Sequence, residues 1–251
     1  MPHHPYDMDP TPTELKKGIE KARATYVGLP ETVCDHRALC CQAGCPNLYY
    51  SEYLSLREGF IEKMTTDQRL ELTAECVKRY LMNQRVEKLK PCVFLGEKNM
   101  CTVYDCRPLK CRTYGLIPDA LYKWVVKSVA HEMQVPEFTV PLCWQCDRVK
   151  VKPEFAEKFP NGCVPEDMLR DLEKRLRDVD LKLGLPKDVQ DAGHGFLTFH
   201  DWHVMFELGE SWMVKLTKLR IKLSDEEKEQ FVSSLKDALR GNTASEQEKR
   251  A

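Results

Sequence analysis

Much that would announce a chemistry is missing from this 251-residue chain. It contains no phosphate-binding P-loop, no glycine-rich dinucleotide turn, no Gly-x-Ser-x-Gly elbow and no His-Glu-x2-His pair. Those gaps exclude the common nucleotide, serine-hydrolase and zinc-protease sites, and they count against a standard methyltransferase fold. Charge of one sign is missing as well: 38 Lys and Arg stand against 39 Asp and Glu, a net charge of −1. The electrostatic footprint of a nucleic-acid binder is therefore not there. Nowhere do 18 consecutive apolar residues occur, so no segment reads as a membrane span. The opening Met1-Pro2-His3-His4-Pro5-Tyr6-Asp7 has neither a basic n-region nor an apolar h-region. A soluble, cytoplasmic protein is the expectation. No solenoid-length repeat and no long Gly/Ser or Pro linker divides the sequence.

What is present is cysteine. Twelve thiols in 251 residues exceed ordinary intracellular usage yet fall below the density of a small disulfide scaffold. In a reducing cytosol, clustered thiols serve as metal ligands or redox groups rather than as structural disulfides. The apolar fraction of 42% counts those cysteines, so the stock left for a core is modest, and metal–thiolate bonds would add to it. Ten of the twelve fall into three short-interval groups: Cys34-x5-Cys40-Cys41-x3-Cys45, Cys92-x8-Cys101-x4-Cys106-x4-Cys111 and Cys143-x2-Cys146. Soft thiolates at such intervals suit zinc or an iron–sulfur cluster. Ten sulfurs exceed the four that one zinc or one cubane takes, so either two sites exist or some sulfurs are bystanders. The surplus favours an iron–sulfur cluster, 4Fe-4S first, with zinc as the alternative. Adjacent Cys40 and Cys41 are expected to point apart from an extended or turn backbone.

Between and after these groups the pattern is helical. Thr13 ahead of Glu14-Leu15 reads as a capped start, and helices are expected over Tyr49 to Glu62 and Thr65 to Leu89, the second opened by a Thr65–Gln68 capping box. Asp119 to Gln134 reads as a helix ended by Pro136, and Met168 to Leu183 as a strongly amphipathic one ended by Gly184 and Pro186. Phe199 to Leu219 suggests another, although the alternation at Leu219, Ile221 and Leu223 also permits a strand. Ser224 with Glu227 caps a last helix to about Leu239. The expected fold class is mainly α, with irregular cysteine-rich metal-binding loops held by helices. Its expected parts are a flexible lead-in over 1–11, a cysteine-cluster metal-binding domain over 12–164, a helical C-terminal region over 165–240 packed on it, and a frayed tail over 241–251.

The N-terminal thiols combined with Cys92-Val93-Phe94-Leu95, Cys101-Thr102-Val103-Tyr104, Arg107-Pro108-x2-Cys111-Arg112 and Tyr114 resemble the YkgJ-like cysteine-cluster family, a zinc- or iron-chelating domain. The related flagellin lysine N-methylases share the cluster. The resemblance covers about residues 34–115. In place of the family's even Cys-x2-Cys-x2-Cys-Cys run, this chain has the wider Cys34-x5-Cys40-Cys41-x3-Cys45. The resemblance implies Cys34, Cys40, Cys41, Cys45, Cys92, Cys101 and Cys111 as ligands, with Cys106, Cys143 and Cys146 as additions.

A thiolate centre carries net negative charge, which nearby cations and N–H groups stabilise. Between residues 84 and 113 seven cations (Arg85, Lys88, Lys90, Lys98, Arg107, Lys110 and Arg112) stand against Glu87, Glu97 and Asp105. Arg107 and Arg112, inside the ligand run, are read as supporting the cluster, while Lys88, Lys90 and Lys98 read as solvated. Tyr104 either donates to sulfur or packs. Cys76, on an apolar helix stripe, reads as a buried hydrophobe, and His200-x2-His203 as a packed or hydrogen-bonded pair. His36 is a further candidate ligand, Cys143-x2-Cys146 reads as metal-binding ahead of thiol exchange, and Cys163 is undecided. The function expected is a cysteine-ligated metalloprotein in electron transfer or in support of a redox or protein-modifying reaction, working with another protein as redox partner or substrate. The alternatives are a structural zinc module that docks a protein and, on the resemblance alone, a lysine N-methylase-like enzyme.

Overall fold

The computed structural model describes residues 11–33, 39–42, 44–82, 91–134, 136–137, 149–185 and 196–248. The described chain is mainly helical, and each long helix has a local cause. Helix α1 (Pro12–Thr25) is capped by Thr11 rather than Thr13: Thr11 N–H donates to Glu14 at 2.8 Å and Glu14 N–H to Thr11 Oγ1 at 3.3 Å. Proline at the first helical position needs no donor there, which moves the start back. A single turn, α2 (Leu39–Gln42), carries Cys40 and Cys41. Helix α3 (Tyr50–Gly59) is followed by a short 3-10 turn, and α4 (Thr66–Leu81) opens with the expected Thr65–Gln68 box. Another single turn, α5 (Leu109–Arg112), holds Cys111.

Helix α6 (Asp119–Met133) ends where Gln134 turns left-handed at φ 54°, before the expected Pro136. Helix α7 (Glu166–Lys182) buries Leu169, Leu172, Leu176 and Val179, the stripe its 3.6-residue period announced. The expected helix from Phe199 is instead two, α8 (Phe199–Leu208) and α9 (Glu210–Lys222), broken at Gly209, whose φ of 91° glycine alone adopts at little cost. Of the alternating residues, Leu219 and Ile221 lie in α9 rather than in a strand, and Leu223 follows its end in an extended conformation. The last helix, α10 (Asp225–Glu248), starts at the expected Ser224–Glu227 box but continues past Leu239 into the stretch expected to fray.

Among the described residues four short strands go beyond the expected elements: β1 (Thr32–Val33) pairs antiparallel with β3 (Lys150–Val151), and β2 (Asn47–Tyr49) with β4 (Phe196–Thr198). Each strand is too short to show a period of two. The β2–β4 ribbon, with Leu48 opposite Leu197, joins the front of α3 to the front of α8. Trp202 then donates its indole N–H to the Leu48 carbonyl at 2.9 Å.

One cluster of buried residues runs from Ile19 to Leu235, so the N-terminal and C-terminal parts share a core. At its centre Tyr50, Tyr53, Phe199 and Trp202 are fully buried, with ring centroids 5.0 Å apart for Tyr50–Trp202 and 6.0 Å for Tyr53–Phe199. Cys76 belongs to this core, wholly buried on α4, as its stripe position implied. A smaller cluster of Leu116, Phe159, Val164 and Leu169 lies under α7.

Candidate metal centre

Six cysteines converge. Cys40 and Cys41 on α2, Cys45 on the following turn, Cys92 and Cys101 on a tight loop, and Cys111 on α5 gather about one small chamber. All but Cys45 line it directly, together with Leu48, Leu56, Phe94, Val103, Arg107 and Phe199. Cys45 joins through Cys92, their sulfurs 3.3 Å apart. The sulfurs of Cys40 and Cys41 are 3.9 Å apart. They do not point away from each other, because a helical turn rather than an extended segment carries them.

Backbone pairing sets these positions. Cys92 N–H donates to the Cys41 carbonyl at 2.6 Å, tying the second segment to the first. The loop from 94 to 102 closes through Gly96 N–H to Met100 O and Thr102 N–H to Phe94 O, both 2.9 Å, which folds Cys101 back beside Cys92. A Cβ on Gly96 would fall 2.8 Å from Thr102 Cγ2, so the close approach needs glycine. Val93 N–H points at Cys45 Sγ at 3.4 Å, a donor of the kind that steadies thiolate.

The thiols differ in acidity. Hydrogen bonding from Cys41 brings Cys40 down to about 7 and Cys101 down to about 6, and the Arg107 charge acts in the same direction on both. Cys41, on the donating side of those bonds, is pushed up. Cys92 is raised by its contact with Cys45, and Cys111 by burial. The hydrogen bonds from Cys41 thus favour the thiolate form of Cys40 and of Cys101.

The two arginines brace the loop more than they touch sulfur. Arg107 Nε donates to the Tyr104 carbonyl at 3.0 Å, with its guanidinium 3.5 Å from the Tyr104 ring centroid. Arg112 donates to the carbonyls of Arg107 and Asp105, both at 2.7 Å, and lies 4.6 Å from the Tyr26 ring centroid. Tyr104 is a half-exposed platform for Arg107. Lys98 is exposed, in keeping with a solvated role.

Cys106 stands apart from the six. Its sulfur lies against Gly59 of α3, where a Cβ would come within 2.9 Å, and near Arg23. Cys163 lies on the turn before α7, away from the chamber. Cys34, His36, Cys143, Cys146, Arg85, Lys88 and Lys90 lie outside the described residues. The expected histidine pair is packed: His203 is wholly buried between Tyr53 and Thr73, and its ring stacks on Phe199 at 5.4 Å.

Two buried carboxylates near the chamber were missed by sequence reasoning. Glu52 accepts the Tyr49 and Leu109 amides at 2.9 and 2.6 Å and the Tyr26 hydroxyl. Asp180 accepts the Tyr50 and Ser51 amides. Burial raises the pKa of both. On the far side of α5 lies a larger cavity of about 330 Å³, walled by Leu109, Lys110, Trp124 and Leu169 among others. Desolvation there brings Lys110 down to about 8.

The six converging side chains are all thiols, soft donors of the kind zinc and iron accept. Their arrangement is paired rather than splayed, and among the described residues no three His, Cys, Asp or Glu side chains stand as they are in a group that could hold a metal ion. No helix among the described residues is long and apolar enough to cross a membrane. Compared with protein-family models, with curated proteins and with solved structures, the chain finds no match.

Proposed function

We propose that the chain is a cysteine-ligated metalloprotein whose six-thiol chamber holds an iron–sulfur cluster, serving electron transfer or supporting a redox or protein-modifying reaction on another protein in the cytoplasm. The convergence of Cys40, Cys41, Cys45, Cys92, Cys101 and Cys111 carries this reading. Cys41 and Cys92 are buried and the other four only partly so, so the group offers soft donors that remain within reach of a metal. Four of the six would suffice for one cubane or one tetrahedral zinc. A bound cluster would supply one-electron chemistry. The chain itself supplies thiols, the Arg107 charge, the Val93 N–H and apolar walls from Phe94 and Phe199.

A structural zinc site is the second reading, and two observations favour it. Sulfurs 3.3 and 3.9 Å apart are close to the edge of about 3.8 Å that four sulfurs make around zinc at about 2.3 Å. The chamber's free volume of about 20 Å³ admits one small species, whereas a cubane requires the thiols to spread. Metal analysis and absorption spectra of protein purified anaerobically separate the two. Iron with sulfide and a broad band near about 400 nm supports the cluster, since filled-shell zinc is colourless. Colourless protein with stoichiometric zinc establishes the second reading, and metal-free protein that folds normally removes both.

A further inference from the structure

Glu52 belongs to no thiol group, yet it joins the segments around the chamber. The residue is 3% exposed, and its carboxylate accepts hydrogen bonds from three places. Oε2 takes the Tyr49 amide at the start of α3. Oε1 takes both the Tyr26 hydroxyl, just past α1, and the Leu109 amide, the first of α5, at 2.6 Å. Leu109 lies two residues before Cys111, and α5 is a single turn with little rigidity of its own. Its orientation therefore depends on what holds its ends. At the other end Arg112 stacks on Tyr26, the residue that also donates to Glu52. Glu52, Tyr26 and Arg112 thus form a closed bracket around the turn that aims Cys111 into the chamber.

We propose that Glu52 is a positioning residue of the metal centre: through the Leu109 amide and Tyr26 it fixes α5, and with it Cys111, against the other five thiols. The inference rests on the metal reading above but concerns a bond whose presence can be measured without metal. Asp180 supplies a control, being an equally buried carboxylate that holds the Tyr50 and Ser51 amides and touches no cysteine-bearing turn.

The experiment compares wild type, Glu52→Gln, Tyr26→Phe and Asp180→Asn, each as the full chain purified anaerobically. The Glu52→Gln side chain is nearly isosteric with the original but presents an NH2 group to at least one of three donors, so the bracket is broken with little change of volume. Amide exchange at Leu109 reads the brace, and transfer of metal to a chelator reads its effect on the centre. Glu52→Gln is expected to lose protection at Leu109 and to release metal about tenfold faster, the usual scale for a group supporting a ligand. Tyr26→Phe should do so more weakly, and Asp180→Asn should keep the wild-type release rate even where its melting temperature falls. Glu52→Gln protein that releases metal as wild type does overturns the inference, as does Asp180→Asn protein that loses metal equally fast. Wild-type protein without metal overturns the reading beneath it, a result distinct from metal-loaded wild type and variant behaving alike.

Discussion

The buried carboxylate of Asp180 closes the amino end of α3 by accepting the Ser51 amide at 2.8 Å, a contact between residues 129 positions apart. Its second oxygen takes the Tyr50 amide at 2.9 Å. The first two amides of α3 are thus capped from α7.

That contact gives stability a pH signature. Burial moves Asp180 from 3.8 to about 8, with the Glu52 charge adding to the shift and the bonds from Ser51 opposing it. The folded chain then keeps a proton that the unfolded chain releases, so this group's contribution falls as pH rises from about 4 to about 8. Urea midpoints measured across that range should decline less steeply in Asp180→Asn than in wild type. Parallel curves would show that Asp180 does not titrate in this window.

His203 gives the opposite sign. Burial lowers it from 6.5 to about 3, so the unfolded chain binds a proton that the folded chain refuses, and stability falls as pH drops below about 6.5. Its tautomer follows from its neighbours: the Thr73 hydroxyl donates to the Arg69 carbonyl at 2.9 Å, so it accepts from Nε2–H at 3.1 Å, leaving Nδ1 to accept from Tyr53. Nitrogen-15 spectra should show a neutral Nε2–H ring from about pH 5 to 8, and Thr73→Val should cost about 1–3 kcal/mol by stranding that N–H. A signal from Nδ1–H would refute the assignment.

Gly18 should resist replacement by alanine. In an open helix that change is favourable by about 0.5–1 kcal/mol, but here a Cβ would lie 2.5 Å from Cδ2 of Leu183, itself 2% exposed. Gly18→Ala should cost about 1–3 kcal/mol by overpacking. Adding Leu183→Ala should give a combined loss smaller than the sum of the two, the coupling expected of touching groups. Strict additivity in denaturant titrations would argue that the helices do not meet there.

The cysteines should sort by position. Cys101→Ala and Cys111→Ala are expected to lower both metal content and folding stability, because a lost ligand removes binding free energy that is also folding free energy. Cys76→Ala in the core and Cys106→Ala beside Gly59 should keep the metal content of wild type. Retained metal in both of the first two variants would place the centre elsewhere.

The helices were legible because capping chemistry and apolar stripes are local: the boxes at Thr65 and Ser224 sit where the sequence placed them. The box at Thr198 escaped notice because its third residue is Asp201 rather than Glu or Gln. The chamber was legible in its thiols. Neither buried carboxylate was, since Glu52 acts on an amide of α5 57 residues away and Asp180 on an amide of α3 129 residues away. A faint signal existed for Asp180, a carboxylate four residues after Leu176 on the buried stripe of α7. Its place in the second short-interval group suggested that Cys106 would join its neighbours, but the turn before Pro108 sets it against Gly59 of α3 instead.

The wall of the chamber has a consequence for the order of assembly. Phe199 closes it, and Phe199 is placed by the β2–β4 ribbon and by the bond from Trp202 to Leu48, across 154 residues of sequence. Contacts of such separation form late, after the chain entropy of a long loop has been lost. During synthesis all six thiols emerge before the aromatic residue that covers them. A metal bound as proposed that reaches these thiols before Phe199 is in place needs no opening of the finished core.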